Sequence, residues 1–184
     1  MKKIIVAGAA SVLAVLPAAG VFAATGTSVT DTIEVTIDVS CKITATNLAN
    51  TYSATMTNSQ LKSDIGGTSM TISCNDAAGW KLSAIGSGTA TNKTQMAASA
   101  SGTNIATGTA TSGATSNWAF KVTGTNASGY TTFKAVPSTA ATVATGSTSI
   151  HNSTLTATYQ VWISATQQAD TYTGKVTYTL SHPA

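Results

Sequence analysis

The sequence predicts an all-β protein, an antiparallel β-sandwich with one disulfide. Three observations carry that expectation. Apolar residues recur at every second position in several short runs, which is the period of a half-buried strand. Stretches rich in Gly, Ser, Asn and Thr separate those runs and supply turn chemistry. Beyond the N-terminal apolar run, no segment sustains a helical period over three or four turns.

The first element is an export signal. Lys2 and Lys3 precede an apolar run over 4–16, too short to span a bilayer comfortably, and Pro17 breaks it. Val21-Phe22-Ala23 places small or aliphatic residues where a signal peptidase needs them, so 1–23 reads as a signal peptide cut after Ala23. No cysteine follows the run directly, so a lipid-anchored N-terminus is not expected. Residues 24–184 then form a single secreted domain of ordinary size.

Alternation places the strands. Ile33, Val35, Ile37, Val39, Cys41 and Ile43 share one parity, with Glu34, Asp38, Ser40 and Lys42 among their polar neighbours. Met70, Ile72 and Cys74 alternate likewise. A turn at 75–79 leads to Trp80, Leu82 and Ala84. The stretch 86–116 is low in complexity, with Met96 and Ile105 its larger apolar residues, and reads as a long exposed loop or weak edge strands. Trp118, Phe120 and Val122 mark the next strand. A turn at 126–129 precedes a short strand within 130–136, and 137–152 reads as loop. Leu155, Ala157, Tyr159, Val161 and Ile163 form another alternating strand, with Trp162 on its opposite face. After a turn at 167–171, Tyr172, Gly174, Val176, Tyr178 and Leu180 close the chain.

Cys41 and Cys74 are the two cysteines of an exported chain, and both fall at inward positions. They therefore read as a disulfide closing a loop of 33 residues. On a chain-entropy basis such a loop stabilises by about 3–4 kcal/mol. The order Cys, Cys, Trp differs from the Cys, Trp, Cys order of immunoglobulin domains.

Composition excludes several function classes. Without Lys2 and Lys3, seven Lys face six acids and Arg is absent, so there is no clustered basic footprint for nucleic acid. The two histidines, His151 and His182, and the two cysteines do not make a zinc set, and no cofactor or metal is expected. Ser residues are many, but none lies in a Gly-x-Ser-x-Gly elbow. Asp31, Glu34 and Asp38 could pair as carboxylates but read better as one solvated strand face. Asp76 and Asp170 sit in turns, where Asp accepts backbone N–H groups. An enzyme is not expected.

Two segments repeat a pattern. Gly79-Trp80-Lys81-Leu82 carries an aromatic, a polar residue and Leu on a strand. Tyr178-Thr179-Leu180 does so again after Tyr172, in a Thr-rich strand shortly before Pro183. The pair resembles the WxL domain of bacterial cell-surface proteins, which has one Trp-x-Leu motif mid-domain and a second near its C-terminal end. Tyr178 stands where the family's second motif has Trp, and the disulfide is not a usual feature of that family. The resemblance implies a secreted β-rich domain held non-covalently to peptidoglycan or another cell-wall polymer. Strand parity places Trp80, Leu82, Tyr178 and Leu180 in the core, leaving Trp162 on the other face as the candidate exposed ring for ligand contact, unless a second core layer buries it. Neither a sortase motif nor a membrane span follows the signal, so covalent attachment is not expected. The alternative is a pilin-like or surface-layer subunit whose partners are other surface proteins or copies of itself. Small-residue composition, one disulfide and the alternating run over 29–39 suit strand exchange. The penultimate Pro183 departs from the penultimate aromatic of chaperone–usher pilins.

Overall fold

The structure, a computed structural model, describes residues 39–45 and 55–182. All of them lie in one compact unit, Ile37–Ala184. The signal peptide, the acids Asp31, Glu34 and Asp38, and Pro183 lie outside the described residues.

Eleven strands are formed by the described residues, and no helix. They are β1 (Cys41–Ala45), β2 (Gln60–Cys74), β3 (Trp80–Gly86), β4 (Ala97–Ala98), β5 (Ala106–Thr107) and β6 (Asn117–Gly124). They continue with β7 (Lys134–Ala135), β8 (Ala141–Gly146), β9 (Ile150–Ile163), β10 (Tyr172–Thr173) and β11 (Val176–Ser181). The larger sheet runs β1-β2-β9-β6-β5, with β7 also on β6, and curls as a half-barrel. A three-stranded sheet runs β11-β3-β8, and β10 pairs with β4. All pairings are antiparallel except the short β5–β6 contact.

One apolar cluster draws on both principal sheets. Met70 and Ile72 of β2, Phe120 and Val122 of β6, and Leu155 of β9 meet Trp80 and Leu82 of β3 and Val143 of β8. Alternation is the cause: in β3 the odd-numbered neighbours Lys81, Ser83 and Ile85 face away while the even-numbered residues are buried. Phe120 anchors an aromatic group, stacked on Tyr130 at 4.8 Å and edge-on to Tyr178 at 6.3 Å.

Several expectations need correction. The stretch 86–116 is mostly loop with two very short strands, in keeping with the weak-strand alternative, but it is not exposed throughout. It contributes β4 and β5, Met96 and Ile105 exchange backbone hydrogen bonds of 2.9 and 3.0 Å, and Ile105 is 1% exposed. Trp118 holds this stretch down, its indole Nε1–H donating to the Thr94 carbonyl at 2.8 Å. The stretch 137–152 is not loop either, since it holds β8 and the start of β9. Between 130 and 136 only the two residues of β7 are strand. The last strand is broken into β10 and β11 around Gly174. A side chain at that position would run into the Trp118 ring, with a Cβ only 2.7 Å from Cη2.

Candidate functional site

The two aromatic–Leu segments are brought together. β11 lies antiparallel to β3 with Leu180 opposite Leu82, Tyr178 opposite Ala84 and Ser181 opposite Lys81. Trp80 and Leu82 are fully interior, whereas Tyr178 and Leu180, on the outer strand of this sheet, are half-buried. On the other side of β3, Trp80 is in register with Gly146 of β8, and its indole lies against that glycine. The Trp80 Nε1–H is buried without an acceptor among the described residues. The Tyr178 hydroxyl faces that of Tyr159 at 3.5 Å. Burial makes Trp80 and Leu82 packing groups, in line with their strand parity.

Trp162 is the residue whose expected place is overturned. Its face of β9 is covered, the ring is 8% exposed, and Nε1–H donates to the Gly113 carbonyl at 3.3 Å. Asn117 and Gln160 share that second buried face, with Leu61 at its margin, and Ser63 Oγ lies 3.3 Å from Gln160 Oε1. Such a second layer is the alternative for Trp162; the segment that forms it, around Gly113, is not legible because it is itself made of small residues. An exposed stacking ring is therefore not supplied by Trp162.

The Cys41–Cys74 disulfide is present as a direct cross-strand pair of β1 and β2, with Cα atoms 4.0 Å apart. Asp76 caps the following turn by accepting from Ala78 N–H at 2.8 Å, and its other carboxylate oxygen lies 3.3 Å from His182 Nδ1.

Asp170 does more than a turn aspartate. Its carboxylate accepts from Ser99 Oγ–H at 2.7 Å, Gly102 N–H at 2.8 Å, Ala100 N–H at 3.1 Å and Thr171 N–H at 2.7 Å. The Ser99 hydroxyl foremost, then the Gly102 amide, hold its carboxyl well below the usual carboxylate range. Asp170 thus pins the 99–102 loop to the β9–β10 connection. Sequence alone identifies the turn but not the loop 70 residues away that it serves. Burial pushes the Tyr130 phenol upward.

A shallow hollow of about 200 Å³ lies beside this anchor, lined by neutral hydroxyl and amide groups such as Thr103, Thr115, Ser116 and Gln168. Its buried floor is already satisfied, since Ser116 and Ser164 hydroxyls bond each other and Ser164 N–H donates to Ser116 Oγ at 2.9 Å. Among the described residues no group of three His, Cys, Asp or Glu side chains is placed to hold a metal ion. No helix among them is long and apolar enough to cross a membrane.

Set against protein-family models, curated proteins and solved structures, the chain matches none.

Proposed function

We propose that the chain is an exported cell-surface protein whose mature part, an antiparallel β-sandwich from Ala24 onward, attaches non-covalently to a bacterial cell-wall polymer, peptidoglycan foremost, and catalyses nothing. The observation that carries this reading is the register of β3 and β11. The two segments that resemble the WxL motifs are hydrogen-bonded neighbours, with Leu82 facing Leu180 across the pair. They form one structural unit, and they support the wall by shaping the domain, with Trp80 and Leu82 too deep to touch sugars. A single apolar cluster fed by both principal sheets supports the sandwich description.

The test is co-sedimentation of the purified mature chain with isolated peptidoglycan at low and moderate salt. With a net charge near +1, ion pairing is a minor part of binding, so moderate salt leaves most of the protein in the pellet. Repetition of the polymer raises the apparent affinity of a weak single site. Protein that stays in the supernatant at both salt concentrations overturns the reading. Mass spectrometry of the exported form, expected to begin at Ala24, tests the export step separately.

A further inference from the structure

The hollow beside Asp170 is lined from three segments distant in the chain, 103–104, 114–116 and 164–168. Each is fixed from behind. The Gly113 carbonyl accepts from Trp162 Nε1–H at 3.3 Å and Ser116 Oγ accepts from Ser164 N–H at 2.9 Å, so the 114–116 wall is held at both ends. Gln167 Nε2–H donates to the Thr103 carbonyl at 2.8 Å, and Asn104 Oδ1 accepts from Ala98 N–H at 3.0 Å. Tyr172 Oη–H donates to the Gln168 carbonyl at 2.7 Å. Asp170 clamps the loop 99–102 that leads into the first wall. A rim held in this way needs little further ordering when it binds, which lowers the entropic cost of association.

What the rim leaves over is a set of neutral donors and acceptors. The bonds just given fix two amide orientations. With Asn104 Oδ1 on an N–H, its Nδ2 remains as a donor; with Gln167 Nε2 on a carbonyl, its Oε1 remains as an acceptor. The Gln168 amide and the Thr103 and Thr115 hydroxyls make no hydrogen bond among the described residues, and all three residues are exposed. No charged side chain lines the hollow, and the Asp170 carboxylate beside it is engaged by four donors.

This chemistry selects its occupant. A phosphate or carboxylate would meet no counter-charge, and desolvating it there is costly. An apolar group would leave the rim amides unpaired. A sugar presents hydroxyls that both donate and accept, and an acetamido group adds one N–H and one C=O, the complement of a side-chain amide such as that of Gln168. A volume of about 200 Å³ falls below the roughly 300–1,000 Å³ of sites for drug-sized molecules, which suits one ring of a polymer.

We propose that this hollow is a subsite for one neutral N-acetylhexosamine residue of a wall glycan, with Asn104, Gln167 and Gln168 reading its acetamido and hydroxyl groups. The assignment rests on the wall-attachment reading given above and locates its contact. None of the lining residues is aromatic, so a single subsite binds weakly, and repetition along the glycan strand raises the apparent affinity.

NMR titration of the isotope-labelled mature protein with the N-acetylglucosamine tetramer tests it, beside the same titration with cellotetraose, which has the same backbone without acetamido groups. The side-chain amide resonances of Asn104, Gln167 and Gln168 should shift saturably with the first sugar and stay in place with the second. A double variant, Thr115→Ala with Gln168→Ala, removes two rim side chains that make no bond within the fold. It should weaken tetramer binding and peptidoglycan co-sedimentation by about tenfold while leaving the urea midpoint unchanged. Equal shifts with cellotetraose overturn the acetamido assignment. Undiminished binding of tetramer and peptidoglycan by the double variant overturns the hollow as the contact and leaves wall attachment standing. Saturable shifts in a protein that stays out of the peptidoglycan pellet keep the subsite and overturn wall attachment. A protein that neither shifts nor pellets overturns both.

Discussion

At the scale of single residues, Trp80 and Gly146 define one fit. They are opposite one another in the β3–β8 register, and a Cβ on Gly146 would collide with the Trp80 indole. Trp80→Ala leaves a cavity in the shared core and should lower stability by about 3–5 kcal/mol in urea denaturation. Gly146→Ala should destabilise through the opposite fault, overpacking, by about 1–3 kcal/mol. If Trp80→Ala melts like the wild type while losing peptidoglycan binding, the ring is a contact residue and the packing account fails. Asp170 makes a different prediction, in pH. Its folded pKa is depressed by the Ser99 hydroxyl and then the Gly102 amide, so its contribution is complete above the unfolded carboxyl value near about 4 and is lost as pH falls below it toward the folded value. The gap in urea midpoint between wild type and Asp170→Asn should be constant from pH 7 to about pH 5 and should narrow in more acidic buffer. A gap independent of pH would show that the carboxylate charge contributes nothing.

At the scale of elements, β1 is the clearest dependent. It is five residues long and, among the described residues, joins the larger sheet through β2 alone, with Cys41 facing Cys74 at its start. Replacing either cysteine by Ser should cost about 2–5 kcal/mol, the usual range for a small secreted domain, and two titratable thiols in the denatured native protein would refute the bridge. The elements differ in how far the sequence reveals them. β3, β6, β9 and the second half of β2 carry large apolar residues at strict alternation, and their inward faces are as that alternation predicts. β8 is hidden because Ala141–Gly146 is nearly all small residues, and a register shift opposite Leu82 and Ser83 puts the consecutive Val143 and Ala144 both inside. The first half of β2 is hidden for a related reason. Register shifts between Lys62 and Thr68, with positive φ at Asp64 (55°) and Gly66 (74°), break the period of two. Of the candidate site, the inward placement of Trp80 and Leu82 was legible, and so was the disulfide. Their register was not, because pairing between strands roughly 95 residues apart leaves no local signal. Nor was the cover over Trp162, since parity says which face a side chain takes and not what lies on that face.

At the scale of the whole molecule, the question is whether the Gly- and Ser-rich stretch belongs to the cooperative fold. Composition alone would make 86–116 a separate, weakly ordered loop. Its contacts argue otherwise: Ile105 enters the common core, Thr94 accepts from Trp118, and β4 pairs with β10 near the C-terminal end of the chain. The three tryptophans report on different regions. Trp80 sits in the three-stranded sheet, Trp118 at the junction of β6 with the 86–116 stretch, and Trp162 in the second buried layer on the far face of β9. Three variants, each keeping one Trp and carrying Phe at the other two positions, separate their signals. In each variant the fluorescence midpoint in urea should coincide with the far-UV circular dichroism midpoint of the same protein, because coincident transitions mark a two-state fold. Comparison within each variant removes the differing cost of the Phe substitutions. A Trp118 transition that precedes the loss of strand signal would show that 86–116 opens by itself, and its contacts with Trp118 and Ile105 would then be peripheral to stability.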